Sequence, residues 1–558
     1  MKLLKYILLL GLFSTTWSCQ DYLERFPLDS PSDETFLRSE AELDMAVTAC
    51  YNRLWYKPPG TDQPFMLSLE CASDLGWDRN SSGLQTLGRG SATPDNDYTG
   101  SFWEHFYRGV GRCNYILAKA GPLAETVPEE KYNRLLAEVR FLRAYFYSYL
   151  NELFGGVPLL TEPVELAESE IPRSSREEVT DFILAELDAA LPYLLPVTDK
   201  STAGRATQGA ALALKSRIAL YNERWETAAQ AASQLMEEGN YQLHDHYGEL
   251  FQYAGEDSPE IIFAVQYLKG TAVHSLARLY YSRIALGHSN KIPVQPLVDA
   301  YECTDGLTID KSPGFDPDEP FANRDPRLGY TVVLPQSRFI NYIFETHPDS
   351  TETWSYNTNP PTRVNNVESS HAYATFSGYL WRKYADVADK DDRDNSELNV
   401  TLMRYAEVLL NYAEAKIELN QIDQSVYDAI NAVRGRPSVE MPLITPGKNQ
   451  AEMRSIVRKE RKYELAGEGL RLFDIRRWKI AGEVMPGKLL GRIPDDFLAE
   501  APVIDENGTP HYENVSNAGQ MRVIENRLFD EGRDYLWPIR RLELETNPAL
   551  EQNPGYGN

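Results

Sequence analysis

The chain has 558 residues, of which 42% are hydrophobic, 25% charged and 11% aromatic. This is an ordinary globular composition, and it excludes a disordered or fibrous protein. The formal charge is −26, from 82 acidic against 56 basic residues. Such an excess disfavours nucleic acid or an anionic membrane surface as the main ligand, because phosphate groups would be repelled. Five cysteines are too few for a disulfide-dense scaffold.

The N-terminus has the pattern of a secretory signal peptide. Lys2 and Lys5 precede an apolar run over 6–13, which is too short for a stable membrane anchor. A short polar segment then leads to Cys19, in an arrangement that resembles a bacterial lipobox. We expect a signal peptide over 1–18 and lipidation of Cys19. The alternative is ordinary cleavage nearby, which leaves Cys19 as a free thiol.

The mature chain would then cover 19–558, and loss of the two lysines takes the charge from −26 to −28. Asp21 and Glu24 follow the cysteine directly. They resemble the acidic signals that send some lipoproteins to the outer cell surface. No later stretch approaches the roughly 18 apolar residues of a membrane span. We therefore expect a protein that is lipid-anchored in the outer membrane and faces the cell exterior.

Much of the chain has the apolar periodicity of helices. Over 129–154, apolar and aromatic residues recur every three or four positions on one face, and Gly155 and Gly156 end the helix. Helices are also predicted over 206–222 and 224–238, and another pair begins at Leu402 and continues near 423–434. These pairs suggest tetratricopeptide-like units of about 34 residues. The sequence predicts a mainly α protein.

We place the helical scaffold at about 30–256 and 400–480. The stretch between, about 257–400, is rich in proline and has short β-like runs over 260–265 and 330–334. Loops on a rigid scaffold are a common place for recognition. We therefore predict a loop-rich recognition region at 257–400.

The search for catalytic chemistry finds no P-loop, metalloprotease, nucleophile-elbow or dinucleotide-binding motif. Glu460, Glu464 and Glu468 would share one face of a continuous helix, and paired carboxylates can serve glycoside hydrolysis. Five arginines crowd the same segment, and cations lower carboxylate pKa values, whereas a general acid needs a raised one. These arginines are Arg458, Arg461, Arg471, Arg476 and Arg477. An ion-paired structural network is the better interpretation.

Metal and cofactor sites are not indicated either. His244 and His246 lack further ligands and are interpreted as a surface turn. The acidic run over 386–394 lacks the glycine and final glutamate of a calcium loop. The cysteines other than Cys19 have neither metal nor redox spacing, so buried thiols are expected, with one disulfide as the alternative. These cysteines are Cys50, Cys71, Cys113 and Cys303.

Several segments together carry a resemblance to a known family. They are 137–150 (AEVRFLRAYFYSYL), 155–160 (GGVPLL), 204–211 (GRATQGAA), 259–263 (PEIIF), 323–328 (NRDPRL), 402–415 (LMRYAEVLLNYAEA), 460–478, 536–539 (LWPI) and 552–556 (QNPGY). In this order, behind a lipobox, they resemble the SusD/RagB family of outer-membrane lipoproteins that capture nutrients at the cell surface. The resemblance covers nearly the whole mature chain.

The resemblance implies a single SusD-like domain over 19–558. Its four tetratricopeptide-like helix pairs would support a loop-rich face with short β elements. It also implies a partner, a TonB-dependent SusC-like outer-membrane transporter, over which the lipoprotein sits as a hinged lid. Family members bind oligosaccharides, or peptides in RagB-like branches, without cleaving them. The motif residues themselves are then scaffold.

For the ligand, we expect an oligosaccharide or polysaccharide, held by aromatic rings against the apolar faces of its sugars. The negative charge disfavours strongly anionic polysaccharides unless a local basic patch intervenes, so neutral ones are favoured. The alternative is peptide capture, which would need backbone-binding edges more than aromatic platforms. A glycoside hydrolase is the third and weakest reading.

The candidate ligand-binding residues are chosen by their chemistry, because family motifs do not mark them. Each group places aromatic rings beside polar side chains or at the start of the recognition region. The candidates are Trp77 with Asp74, Asp78, Arg79 and Asn80; Tyr280 and Tyr281; and Trp354 and Tyr356 with Asn357. By contrast, Trp103, Trp225, Trp478 and Trp537 lie in helical or scaffold segments, and we assign them to packing.

Overall fold

A computed structural model describes residues 36–59, 63–80 and 82–557 of the chain. The predicted signal peptide over 1–18 and the predicted lipidation site at Cys19 lie outside these residues. The structure is 44% helical and 10% strand, so the predicted mainly α class is confirmed. Within the described part, no helix combines the length and apolar character needed to cross a bilayer.

The helices are numbered here in chain order. They are α1 Glu40–Tyr51, α2 Phe65–Ser68, α3 Gly83–Arg89, α4 Asp97–Lys119, α5 Glu129–Phe154, α6 Arg176–Ala190, α7 Gln208–Tyr221, α8 Trp225–Glu238, α9 Leu276–Tyr280, α10 Gln295–Ala300, α11 Pro326–Thr331, α12 Val367–Ser370, α13 Tyr405–Glu418, α14 Gln424–Arg434, α15 Gln450–Leu465, α16 Arg471–Arg477, α17 Ala481–Val484 and α18 Arg541–Thr546. The long helices form the scaffold.

Neighbouring long helices pack in pairs. Helix α5 lies between α4 and α6, α7 packs on α8, and α13 contacts α8, α14 and α15. The helix predicted over 129–154 is therefore observed with the same bounds, and the pairs predicted near 206–238 and 402–434 are also present. Helix α5 stops because Gly155 takes a positive φ of 75°, a conformation that favours glycine.

Aromatic side chains fill the space between α4 and α5. Phe102 stacks on Phe106 with ring centroids 4.3 Å apart, and Trp537 meets Phe102 edge-on at 5.4 Å. Trp537 has no exposed surface, and Trp103 and Trp478 are also buried. Trp225 is partly buried against the same core. The assignment of these four tryptophans to packing is confirmed.

The strands are short and numbered separately. They are β1 Gly76–Asp78, β2 Ile261–Val265, β3 Lys291–Pro293, β4 Val332–Val333, β5 Arg338–Phe339, β6 Tyr342–Ile343, β7 Glu352–Ser355, β8 Thr362–Asn365, β9 Leu380–Trp381, β10 Val400–Arg404, β11 Gly487–Leu490, β12 Val503–Ile504, β13 Pro510–His511 and β14 Val523–Arg527. Strands β5, β6, β7 and β8 form an antiparallel sheet in that order, and the others pair in twos.

Two predicted boundaries were wrong. Leu402 was expected to begin a helix, but it lies in β10, which pairs with β2; helix α13 begins only at Tyr405. The β-branched run and the nearby partner strand outweigh the helical spacing. The β-like run expected over 330–334 is also shorter, because helix α11 continues to Thr331 before β4 begins.

The carboxylates of α15 form a buried ion-pair network, as predicted, but with different partners. Glu464 accepts hydrogen bonds from Arg404 and Arg436, each at 2.8 Å, and from Arg327 at 3.1 Å. All four side chains are almost completely buried. Burial alone would raise the pKa of Glu464, but the three arginines hold it well below its usual range. The partners come from distant segments of the chain.

The arginines that are close in sequence have other roles. Arg461 pairs with Asp474, Arg471 with Asp74, and Arg477 with Glu414. The three glutamates do not share one continuous helix either. Helix α15 ends at Leu465, and Gly467 and Gly469 both take positive φ values around Glu468, which pairs with Arg404 and Lys383.

We predict that Glu464→Gln lowers the free energy of unfolding by about 3–5 kcal/mol. The substitution removes the carboxylate whose negative charge compensates three buried arginines. Chemical denaturation measures this change. The matched control is Glu104→Gln, which breaks the exposed pair of Glu104 with Arg108 and should cost less than about 1 kcal/mol. Equal losses in the two variants would contradict a central role for the network.

Candidate ligand-binding surface

Trp77 does not present its ring to solvent. It lies in β1, which pairs with β3, and its side chain is 5% exposed. The indole Nε1 donates to Glu525 at 3.3 Å, and the ring stacks on Phe376 with centroids 5.5 Å apart. The expectation of an aromatic ring in an open loop was wrong here, because strand pairing draws the ring into the interior.

The polar neighbours of Trp77 are also used inside the protein. Asp74 accepts two hydrogen bonds of 2.8 Å from Arg471, and Asp78 pairs with Lys291 at 2.6 Å. Burial would raise the pKa of Asp74, but Arg471 holds it below its usual value. Both carboxylates are buried and ion-paired, so this geometry gives them a structural role.

Tyr280 and Tyr281 are likewise interior residues, with 3% and 0% exposure. The hydroxyl of Tyr280 accepts a hydrogen bond of 2.6 Å from Gln63, and Tyr281 donates to the carbonyl of Asp386. Tyr280 ends helix α9, and both rings pack in hydrophobic clusters of the interior. With no open ring face, neither tyrosine can stack on a sugar in this conformation.

Trp354 has the opposite environment. It was expected in a loop, but it lies in β7, where Thr353 and Ser355 point inward and Glu352 and Trp354 point outward. The Trp354 side chain is 43% exposed. Its cross-strand partner on β8 is Arg363, whose guanidinium lies 5.3 Å from the indole centroid. The ring is therefore held by a cation on one side and open to solvent.

Tyr356 and Asn357 continue this outward face beyond the end of β7. The guanidinium of Arg338 lies 4.3 Å from the Tyr356 ring centroid, and the Tyr356 amide donates to the Asn341 carbonyl at 2.7 Å. Asn341 also donates from its side chain to Asn357 at 3.3 Å. Two aromatic rings and several amide and guanidinium groups thus share one face.

We call this face the sheet surface and define it by Arg338, Asn341, Trp354, Tyr356, Asn357 and Arg363. Sequence reasoning selected the rings and Asn357 but missed the other members. Thr353 and Trp354 are residue types that are enriched in strands, and this was an available signal for a strand. The cross-strand position of Arg363 was not available, because register depends on the turn between β7 and β8.

Arg79 and Asn80 lie at the surface immediately after β1. Arg79 is half-buried and donates to the carbonyl oxygens of Tyr373 at 2.6 Å and His288 at 2.8 Å. Its guanidinium lies 5.3 Å from the centroid of the Tyr373 ring. The side-chain oxygen Oδ1 of Asn80 accepts a hydrogen bond of 3.2 Å from the side-chain amide of Asn290. Of the group chosen around Trp77, these two therefore lie near solvent.

Carboxyl groups with raised pKa values are found in the interior. Burial raises the pKa of Glu70 to about 7 and that of Asp299 to about 6. Glu70 is 2% exposed and accepts the Gly469 amide at 2.8 Å, while Asp299 is bonded by Tyr512 and Gln295. Neither lies on the sheet surface.

The cysteines of the described residues, Cys50, Cys71, Cys113 and Cys303, are free and buried, as expected.

Comparison with known proteins gives the family. The sequence model described as the SusD family matches residues 259–556, and one described as starch-binding and associating with the outer membrane matches 21–220. The chain therefore belongs to the SusD family, and the predicted fold is confirmed. Among curated relatives, two SusD-like proteins of Formosa agariphila are similar to it. One is 26% identical over 98% of both chains, and the other is 24% identical over 87% of this chain and 92% of its own.

Solved structures agree with this assignment. A SusD-like carbohydrate-binding protein from Bacteroides fragilis is 31% identical, with a TM-score of 0.81 over 93% of this chain and all of its own. A laminarin-binding SusD-like protein is 22% identical, with a TM-score of 0.68 over 93% of this chain and 100% of its own. At that lower identity the likeness concerns the fold.

We predict that alanine substitution of the two tryptophans changes the free energy of unfolding by very different amounts. Trp77→Ala should lower the free energy of unfolding by about 3–5 kcal/mol, because it empties a packed site in the interior. Trp354→Ala should change it by less than about 1 kcal/mol, since its ring is largely exposed. Urea unfolding of the two variants measures both values. A large loss for Trp354→Ala would mean that its ring is a packing element.

Proposed function

We propose that this protein captures oligosaccharide or polysaccharide at the cell surface and delivers it to a TonB-dependent SusC-like transporter, without cleaving it. The observation that carries the proposal is the sheet surface, where Trp354 and Tyr356 lie on one exposed face beside amide and guanidinium donors. Membership of the SusD family supports the same role.

The chemistry of the sheet surface suits a sugar chain. The flat rings of Trp354 and Tyr356 can cover the C–H faces of sugar rings, and Asn357 and Asn341 can exchange hydrogen bonds with hydroxyl groups. The surface is an open sheet face, so a long polymer can cross it. Two solvent-open clefts, of about 630 and 450 Å³, lie elsewhere and are lined mainly by residues of the scaffold and the C-terminal segment.

The names of two structural relatives point in the same direction. The Bacteroides fragilis protein is described as carbohydrate-binding, and the more distant relative as laminarin-binding. We extend the general ligand class, a glycan, to this chain. The absence of cleavage is part of the proposal: the glutamates of α15 are ion-paired in the interior, whereas a glycosidase needs a pair of carboxyl groups that flank the substrate.

Peptide capture is the second candidate, and one observation favours it. Strand β8 forms one edge of the four-stranded sheet, and its residues Thr362, Arg363 and Asn365 are exposed. An extended peptide could add to such an edge through main-chain hydrogen bonds. We favour a glycan because the adjoining face offers two aromatic rings.

We predict that Trp354→Ala and Tyr356→Ala each weaken glycan binding by roughly 1–3 kcal/mol, by analogy with the loss of a base-stacking ring. Affinity electrophoresis against a polysaccharide panel would first identify a ligand, and calorimetry would measure the variants. Tyr193→Ala is the matched control, because Tyr193 is an exposed tyrosine of the scaffold, outside the sheet surface. Retention of peptides without retardation by any glycan would replace the first proposal with the second.

We also predict that Cys19→Ala moves the protein from the outer-membrane fraction to the soluble fraction, because the lipid anchor would be missing. Fractionation of cells that lack the transporter gives the clean measurement, since protein contacts could otherwise retain the variant. Substitution of Cys50, a buried thiol, by serine is the control. If the Cys19 variant stayed in the membrane of such cells, lipidation would not be the anchor.

A further inference from the structure

A second surface lies beside the end of β1 and consists of arginines and aromatic rings. We define it by Arg79, Arg283, Arg522, Tyr373 and Phe376 and call it the arginine patch. Arg79 and Arg283 both donate to the Tyr373 carbonyl, from Nη1 at 2.6 Å and from Nε at 2.7 Å. Two positive groups therefore converge on one neutral acceptor.

The charges in this patch are not balanced. Among the described residues, no carboxylate forms an ion pair with Arg79, Arg283 or Arg522, whereas the buried arginines of the network each have one or more such partners. The pKa of Arg79 is lowered to about 10, first by burial and then by Arg283. The pKa of His371 is also lowered, by partial desolvation and then by Arg283 and Arg79.

The acidic groups that face the patch are already occupied. Glu368 is buried and accepts the backbone N–H groups of Arg283 at 2.6 Å and Thr375 at 3.2 Å. Asp78 is held by Lys291 at 2.6 Å. The guanidinium groups of the patch can therefore donate further hydrogen bonds. An anion bound there would reduce the repulsion between these positive groups.

Aromatic rings lie between the arginines. Tyr373 is 59% exposed, and the Arg79 guanidinium lies near its ring and 5.8 Å from that of Phe376. Arg522 lies 4.3 Å from the Phe376 centroid. Tyr373 can thus cover one face of a ligand while arginine donors bind an acidic group at its edge, a combination that matches a charged sugar.

We infer that the arginine patch binds anionic sugars, and that the captured glycan carries carboxylate or sulfate groups. The inference rests on the proposed glycan-binding function and specifies its substrate class. It also replaces the expectation of a neutral glycan. That expectation used the net charge of −26, but exposed charges farther away than about 10 Å are largely screened, whereas these arginines would contact the ligand directly.

An anionic glycan is favoured as the ligand of the patch over a dense polyanion such as nucleic acid. The negative charge of the whole molecule would oppose a strand with a phosphate at every position. Polymers with spaced charges and apolar ring faces would experience less repulsion and gain contact with Tyr373. The patch contains a few guanidinium groups, and the paired N–H donors of each one suit a single carboxylate or sulfate group.

The test compares polymers that share a backbone and differ in charge. Partly methyl-esterified polygalacturonate against the fully esterified polymer tests carboxylate, and sparsely sulfated dextran against dextran tests sulfate. We expect at least one anionic member to bind about tenfold or more tightly than its neutral partner, since hydrogen bonds to charged groups contribute about 1.5–3 kcal/mol. Binding should weaken as salt is raised.

The variants locate the site. Arg283→Gln and Arg522→Gln should each weaken binding of the preferred anionic polymer by about tenfold and leave any neutral binding unchanged. Arg522 is exposed and donates no side-chain hydrogen bond within the described residues, so its variant should fold normally. Arg108→Gln is the control. Arg108 is exposed and paired with Glu104 on the same helix, and neither residue belongs to the arginine patch. Melting temperatures of all variants are measured alongside.

Each outcome is decisive. Equal or tighter binding of the neutral partners would overturn the inference while the proposed glycan capture stands. Undiminished anionic binding by both folded variants would also overturn it, because the charge contacts would lie elsewhere. If no polymer of either kind were bound, both the inference and the proposed function would fail.

Discussion

The buried charge on Glu464 is the constraint on which the arrangement of the other parts depends. Its carboxylate joins Arg327 of the recognition region to Arg404 at the end of β10 and Arg436 after α14. Buried ion pairs often contribute little net stability, but an unpaired buried charge is very costly. The structure therefore tolerates only arrangements in which these distant segments meet. The network selects a geometry more than it adds stability.

The network also fixes both ends of the segment that contains the sheet surface and Tyr373. Arg327 and Lys383 are both held by carboxylates of the segment around α15, through Glu460, Glu464 and Glu468. The sheet surface and Tyr373 lie between these two positions in the chain. The intervening strands are short and irregular, so fixed ends are what allow them to present rings in defined positions. Binding residues on loops above a rigid scaffold are a common arrangement.

The two surfaces divide the chemistry of recognition. The sheet surface offers two rings with amides, which suits sugar faces and hydroxyl groups, whereas the arginine patch adds uncompensated positive charge around Tyr373. Net charge is a poor guide to such a local feature. Salt screens exposed charges that are more than about 10 Å apart, so the total charge has little influence on direct contacts in the patch.

Local sequence patterns were sufficient to predict several long helices, the family and the chemical classes of the candidate residues. Helix α5 could be predicted from its apolar periodicity and strand β2 from its continuous apolar run, because both signals are local. The predicted ion pairing of the carboxylates around α15 was confirmed, and arginines hold the pKa of Glu464 well below its usual range. Which aromatic rings are open to solvent depends on contacts between distant segments of the chain. Trp77 and Trp354 have equally polar neighbours in sequence, but Asp74 and Asp78 are taken up by Arg471 and Lys291, and strand pairing turns one ring inward and the other outward. Such partners are distant in the chain, and local patterns carry no information about them.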